Sequence, residues 1–115
     1  VDGKTTILEI TPKELKERMD KGNAPYLLDI REPHEIEICS IKYEPAGHIP
    51  MQQLPQRFQE LDAYRDKDLV IYCRSGGRSA NVCNFLRAQG FQSVINLSGG
   101  ILAWSDEVDP SLQKY

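Results

Sequence analysis

Cys73-Arg74-Ser75-Gly76-Gly77-Arg78-Ser79 combines a nucleophile, two cations and a glycine pair within seven residues. It follows Leu69-Val70-Ile71-Tyr72, a β-branched and aromatic strand segment, and precedes a stretch of helical periodicity. In open parallel sheets ligands bind outside the carboxyl ends of the strands, which is where Cys73 falls. Gly76 and Gly77 let the backbone turn tightly and direct several N–H groups inward, forming an anion nest at a helix amino terminus. Such surroundings lower a thiol from about 8.5 to roughly 4 to 7, so Cys73 is expected to be a thiolate at neutral pH without a general base. Arg74 and Arg78 add positive charge that could clamp an oxyanion beside the sulfur. The chemistry predicted is nucleophilic attack by Cys73 on a small, anionic, electrophilic substrate held by Arg74, Ser75, Gly76, Gly77, Arg78 and Ser79.

The elements around this loop read as alternating strands and helices. Thr6 to Ile10 reads as a strand, and Thr11-Pro12-Lys13-Glu14 has the cap, first-position Pro and third-position Glu of a helix start. Leu15 and Met19 give that helix an apolar side, and Gly22-Asn23 ends it. Tyr26-Leu27-Leu28 up to Asp29 reads as a strand buried on both faces, and Ile36 to Pro45 as a short helix or irregular connection. Ala46 to Ile49 is a further strand. Leu54, Phe58, Leu61 and Tyr64 predict one amphipathic helix; Val82, Cys83, Phe85 and Leu86 predict another, ending at Gly90. Val94 to Leu97 is the last strand, and Ser98-Gly99-Gly100 turns into a helix carrying Ile101, Leu102 and Trp104. The alternation implies an α/β fold: a parallel sheet with helices on both faces.

Asp29 and Arg31, at a neighbouring strand end, are expected to brace the loop by ion pairing. Glu32 and Glu35 read as solvated surface charge, and His34 and His48 as structural or surface residues. Cys83 has core spacing on its helix and Cys39 reads as structural. Three cysteines without a Cys-x-x-Cys pair make a disulfide framework or a zinc site a poor fit, so no metal is expected. The residues outside about 6 to 109 read as tails.

At 115 residues, 40% hydrophobic and 27% charged, the chain has the make-up of one globular domain able to bury a core without staples. A net charge of -3 and a pI near 5.4 argue against non-specific nucleic-acid binding. No apolar run approaches the ~20 residues of a membrane span, and the first residues do not form a signal peptide. A cytoplasmic protein is expected. Val1 in place of an initiator Met suggests a cut within a longer chain.

Three segments carry a resemblance to a known family. Leu28-Asp29-Ile30-Arg31-Glu32-Pro33-His34-Glu35 is similar to an Asp-x-Arg-x-x-x-Glu motif, Cys73 to Ser79 to an active-site loop, and Leu97-Ser98-Gly99-Gly100-Ile101-Leu102-Ala103-Trp104 to a terminal motif. Together they make the chain resemble a rhodanese domain, the sulfurtransferase module that carries sulfur as a cysteine persulfide. The resemblance implies a five-stranded parallel sheet with the cysteine loop after its fourth strand. It implies sulfur transfer through Cys73, with main-chain N–H groups of Arg74 through Ser79 holding the persulfide and no cofactor beyond it. Related phosphatases place five residues between Cys and Arg; the four between Cys73 and Arg78 resemble the tighter sulfurtransferase ring and weigh against phosphatase or arsenate reductase activity.

Where the family often has Gly-His-Ile-Pro-Gly-Ala, this chain has Ile38 to Pro50, so Gly47-His48-Ile49-Pro50 is aligned with the second Ile-Pro of the family pattern. Glu37-Ile38-Cys39-Ser40-Ile41 and Ala103 to Ser111 resemble rhodanese domains that follow an adenylating module. That likeness implies an N-terminal adenylation domain and a ubiquitin-like sulfur-carrier protein as partners. Thiosulfate or a cysteine desulfurase would be the donor, and no membrane or nucleic-acid partner is implied. The alternative is a non-catalytic docking module of the same shape, which would gain nothing from a reactive thiolate.

Overall fold

Parallel pairing dominates the computed structural model, which describes residues 8–115. Five strands, β1 (Leu8–Ile10), β2 (Tyr26–Asp29), β3 (Ala46–His48), β4 (Asp68–Tyr72) and β5 (Ser93–Leu97), form one sheet in the order β1-β5-β4-β2-β3. Every adjacent pair is parallel. All carboxyl ends therefore lie on one edge, and Cys73 leaves central β4 between Ile30 after β2 and Ser98 after β5. The expected five-stranded α/β fold is the one observed. Thr6 and Ile7 of the predicted first strand lie outside the described residues.

Side chains alternate along each strand, so the two faces of the sheet build two cores. Leu27, Val70, Tyr72 and Leu97 pack with Leu15 of α1 (Pro12–Asp20) and with Ile101 and Trp104 of α5 (Gly100–Glu107). On the opposite face Leu28, Leu69, Ile71 and Val94 meet Leu54 of α3 (Leu54–Arg57) and Val82, Cys83 and Leu86 of α4 (Gly77–Ala88). Cys73 belongs to this second core. Helix α1 starts with the capping box read from Thr11 and Glu14, whose main-chain and side-chain groups bond reciprocally at 2.9 and 3.1 Å.

Two expectations about elements are corrected. The single helix expected from Leu54 to Tyr64 is the short α3 between 3-10 segments Met51–Gln53 and Phe58–Tyr64. Phe58, Leu61 and Tyr64 recur at intervals of three, which a helix of three residues per turn aligns better than an α-helix does. The last residues are not a tail: Leu112 and Tyr115 pack against the core that contains Trp104. The ambiguous middle stretch contains α2 (Pro33–Ile38), followed by irregular chain.

Candidate active site

The loop after β4 wraps around the sulfur of Cys73. That side chain is 1% exposed, and Gly76 and Ser79 donate main-chain N–H groups to Sγ at 3.1 and 3.4 Å. The Ser79 hydroxyl lies 3.3 Å from the same sulfur. Gly76 makes the turn: its φ of 107° is open to glycine at little cost and launches α4. Burial pushes the Cys73 thiol up, but the Ser79 hydroxyl and the N–H groups of Ser79, Gly76 and Ser75 outweigh it and hold the thiol below its ordinary value. The loop thus presents donors to a charge on sulfur.

What turns those donors inward is the start of α5. Ile101 and Leu102 donate N–H groups to the carbonyls of Cys73 and Arg74 at 2.9 and 3.1 Å. With its carbonyls drawn to one side, the loop turns its amides to the other. Gly100 allows this approach, since a Cβ there would lie 2.5 Å from both carbonyl oxygens.

The two loop arginines both have partners within the protein. Arg78 donates from Nη1 and Nη2 to Glu35 at 2.9 and 2.8 Å, a bidentate pair. Arg74 donates from Nε and Nη2 to the main-chain carbonyl of Tyr115, and its guanidinium lies 5.1 Å from the centre of the Tyr115 ring. Glu35 is therefore not solvated surface charge; it is buried on α2 and also accepts from the Glu32 N–H and the Tyr115 hydroxyl, both at 2.9 Å. Arg78 beside it, against the effect of burial, holds the Glu35 carboxyl down to about 2. Glu32 stays partly exposed, as a surface charge would.

Asp29 and Arg31 form the expected ion pair, with Arg31 fully buried and Nη2 2.7 Å from Asp29 Oδ2. They do not touch the cysteine loop directly. Arg31 donates to the carbonyl of Cys39 at 2.8 Å and to the Tyr115 hydroxyl at 3.0 Å, which in turn donates to Glu35. Bracing reaches the loop through this chain and Arg78. His48 Nε2 donates to the Arg31 carbonyl at 2.6 Å, a structural contact, and His34 is exposed. Cys83 is fully buried core, its thiol pushed up to about 12 mainly by burial; half-buried Cys39 packs against the other core.

Tyr115, Glu35 and Asn96 join the loop network although the sequence reading did not select them. Two carried a signal. Glu35 ends the Asp29-x-Arg31-x-x-x-Glu35 spacing, and Asn96 interrupts the apolar run of β5 with a polar group that needs partners if buried. Tyr115 had none.

Fold and site define a parallel α/β domain built around one loop-ringed cysteine. The chain belongs to the rhodanese-like domain family, whose sequence profile matches residues 11–107. A sulfurtransferase of Allochromatium vinosum is 42% identical over 97 residues, spanning 84% of this chain and 87% of that protein. The crystal structure of a rhodanese-like domain protein from Staphylococcus aureus superposes with a TM-score of 0.75 at 30% identity, over 95% of this chain and 99% of that one. The adenylyltransferase and sulfurtransferase MOCS3-1 of Zea mays is 35% identical over 111 residues, which are 92% of this chain and 23% of that longer protein. By family and relatives the chain is a sulfurtransferase.

Proposed function

We propose that Cys73 carries sulfane sulfur as a persulfide between a small or protein-bound donor and a nucleophilic acceptor. The observation that carries this reading is the ring of Gly76 and Ser79 N–H groups around the Cys73 sulfur. In the first step the Cys73 thiolate attacks the outer sulfur of thiosulfate. A new S–S bond forms at Cys73, the sulfur–sulfur bond of thiosulfate breaks, and sulfite leaves with its electron pair. In the second step a nucleophile such as cyanide or a thiolate attacks the outer sulfur of the persulfide, and Cys73 departs as the thiolate. Charge is conserved in both steps. The inward amides act as a preorganised electrostatic cradle for the anion on the outer sulfur.

Exposed Arg74 orients an anionic donor in this reading, while Arg78, fixed by Glu35, supplies charge from a set position. Ser75 and Gly77 line the open side of the loop and Asp29 with Arg31 supports it from β2. Neither metal nor organic cofactor is needed, because the thiolate itself provides the electron pair. The persulfide of a cysteine desulfurase can replace thiosulfate as donor. Similarity to MOCS3-1, which is named as both adenylyltransferase and sulfurtransferase, supports a ubiquitin-like sulfur-carrier protein, activated by an adenylation domain, as acceptor. Three free cysteines fit a reducing compartment such as the cytoplasm, and no helix among the described residues is long and apolar enough to cross a membrane. The test is turnover of thiosulfate and cyanide to sulfite and thiocyanate. The wild-type chain is expected to turn over and Cys73→Ser to show none; full turnover by Cys73→Ser contradicts the reading.

A further inference from the structure

Beneath the cysteine ring lies a polar triad that the sulfur chemistry has not yet used. Ser79 is fully buried and Asn96, on β5, is 2% exposed. Ser79 Oγ lies 3.3 Å from Cys73 Sγ, 3.2 Å from the Gly76 carbonyl and 2.5 Å from Asn96 Oδ1. Asn96 Nδ2 donates to the Gly76 carbonyl at 3.2 Å, which fixes the amide so that Oδ1 faces the hydroxyl. The Gly76 carbonyl already receives the Ala80 N–H at 3.1 Å. A serine hydroxyl has one proton to donate. Three buried acceptors lie within its reach, but the Gly76 carbonyl already takes the Asn96 amide and the Ala80 N–H, one for each lone pair, which leaves Asn96 Oδ1 and the sulfur of Cys73 to compete for the proton.

We infer that Asn96 is a positioning residue that draws the Ser79 hydroxyl proton away from Cys73 and so favours the protonated thiol, or a sulfur without charge, over the bare thiolate. With Cys73 as a thiol every group is paired: S–H donates to Ser79 Oγ, and Ser79 O–H donates to Asn96 Oδ1. When Cys73 ionises, the hydroxyl either turns to sulfur and leaves Asn96 Oδ1 buried without a donor, or stays and aims its lone pairs at the anion. Both are unfavourable. A persulfide relieves the conflict, because its charge sits on the outer sulfur and the inner one is neutral. This consequence rests on the persulfide reading above; the competition for the proton does not.

Other charged groups near Cys73 leave the competition intact. On α4, Arg78 is paired with Glu35 of α2, and Cys83 is held neutral at neutral pH. Arg74 bonds the Tyr115 carbonyl, Asp29 at the end of β2 is paired with Arg31, and the first turn of α5 gives main-chain N–H groups to loop carbonyls. No other side-chain acceptor bonds the Ser79 hydroxyl among the described residues.

The test measures the Cys73 thiol pKa in the full chain from the pH dependence of iodoacetamide alkylation, followed on the Cys73 peptide by mass. Asn96→Leu is expected to lower that pKa by about one unit, a tenfold gain in the thiolate-to-thiol ratio. In a Ser79→Ala background the same change is expected to do nothing. A merely structural Asn96 would loosen the loop and raise the pKa, so a rise or no change in Asn96→Leu overturns the inference. So does an equal fall in the Ser79→Ala background. Should Asn96→Leu fail to fold, Asn96→Ala takes its place: a fall in the Cys73 thiol pKa supports the inference, and a rise or no change overturns it. Alkylation reads the thiol without any sulfur donor, so these outcomes stand apart from the turnover of Cys73→Ser.

Discussion

At the scale of single residues, the sulfur of Cys73 and the carboxylate of Glu35 are both buried anion positions, but they are stabilised by different means. Cys73 relies on neutral dipoles, whereas Glu35 has the bidentate guanidinium of Arg78. The second arrangement links charge to stability. Folding lowers the Glu35 pKa from its ordinary 4.5 to about 2, so its contribution is whole above pH 4.5 and fades as pH falls toward 2. Because the Arg78 side chain is 37% exposed, solvent screens part of the attraction, which leaves about 2 kcal/mol. Urea denaturation of Glu35→Gln is expected to show a loss of that size at pH 7, with the gap to wild type narrowing below pH 4. A gap independent of pH would mean that the pair contributes through packing and not through charge.

Among the elements, α5 does two tasks from one turn: it covers a face of the sheet with Ile101 and Trp104, and it holds the carbonyls of Cys73 and Arg74. Gly100 of α5 and Gly22, which follows α1, separate conformational from steric demand. Gly22 and Gly100 both have positive φ, at 72° and 62°, yet a Cβ at Gly22 meets nothing within 4 Å while one at Gly100 would clash with two carbonyl oxygens at 2.5 Å. Gly22→Ala is expected to cost about 1 kcal/mol, from backbone strain alone. Gly100→Ala should cost about 3 kcal/mol and also slow Cys73 alkylation, because the loop must move off α5. Thermal denaturation and alkylation rates of the two variants check this, and equal losses with unchanged thiol reactivity would count against the role given to α5.

The same contrast explains what the sequence made legible at this scale. Strands and caps were readable because β-branched runs such as Leu69 to Tyr72 and the Thr11-Pro12-x-Glu14 box act locally. The 3-10 segments around α3 were not, since an apolar interval of three suits both helix types until packing selects one. The cysteine loop was legible in its inward amides, but the partners of its arginines were not. The tight turn follows from the local glycine pair, whereas the partners of Arg74 and Arg78 lie 41 and 43 positions away.

Across the whole molecule, the described chain closes on itself where Tyr115 reaches back to the start of α2. Its hydroxyl accepts from Arg31 and donates to Glu35, and the guanidinium groups of Arg31 and Arg74 lie 5.9 and 5.1 Å from the centre of its ring. Nothing local marks this residue, because a lone aromatic near a polar segment has no periodicity to declare its partners. Tyr115→Phe keeps the ring and removes the bridge, so a loss of about 1 kcal/mol in urea denaturation is expected, with α2 and the loop arginines loosened in hydrogen exchange. An unchanged stability would show that the bridge adds nothing beyond ring packing.

The central claim is that one sulfur among three is made into a carrier by the loop that surrounds it, and mass spectrometry of the intact wild-type chain after exposure to thiosulfate tests it most directly. The account predicts a gain of a single sulfur atom, mapped to the Cys73 peptide and removed by cyanide. Sulfur found on Cys39 or Cys83, or on none of the three, would contradict it.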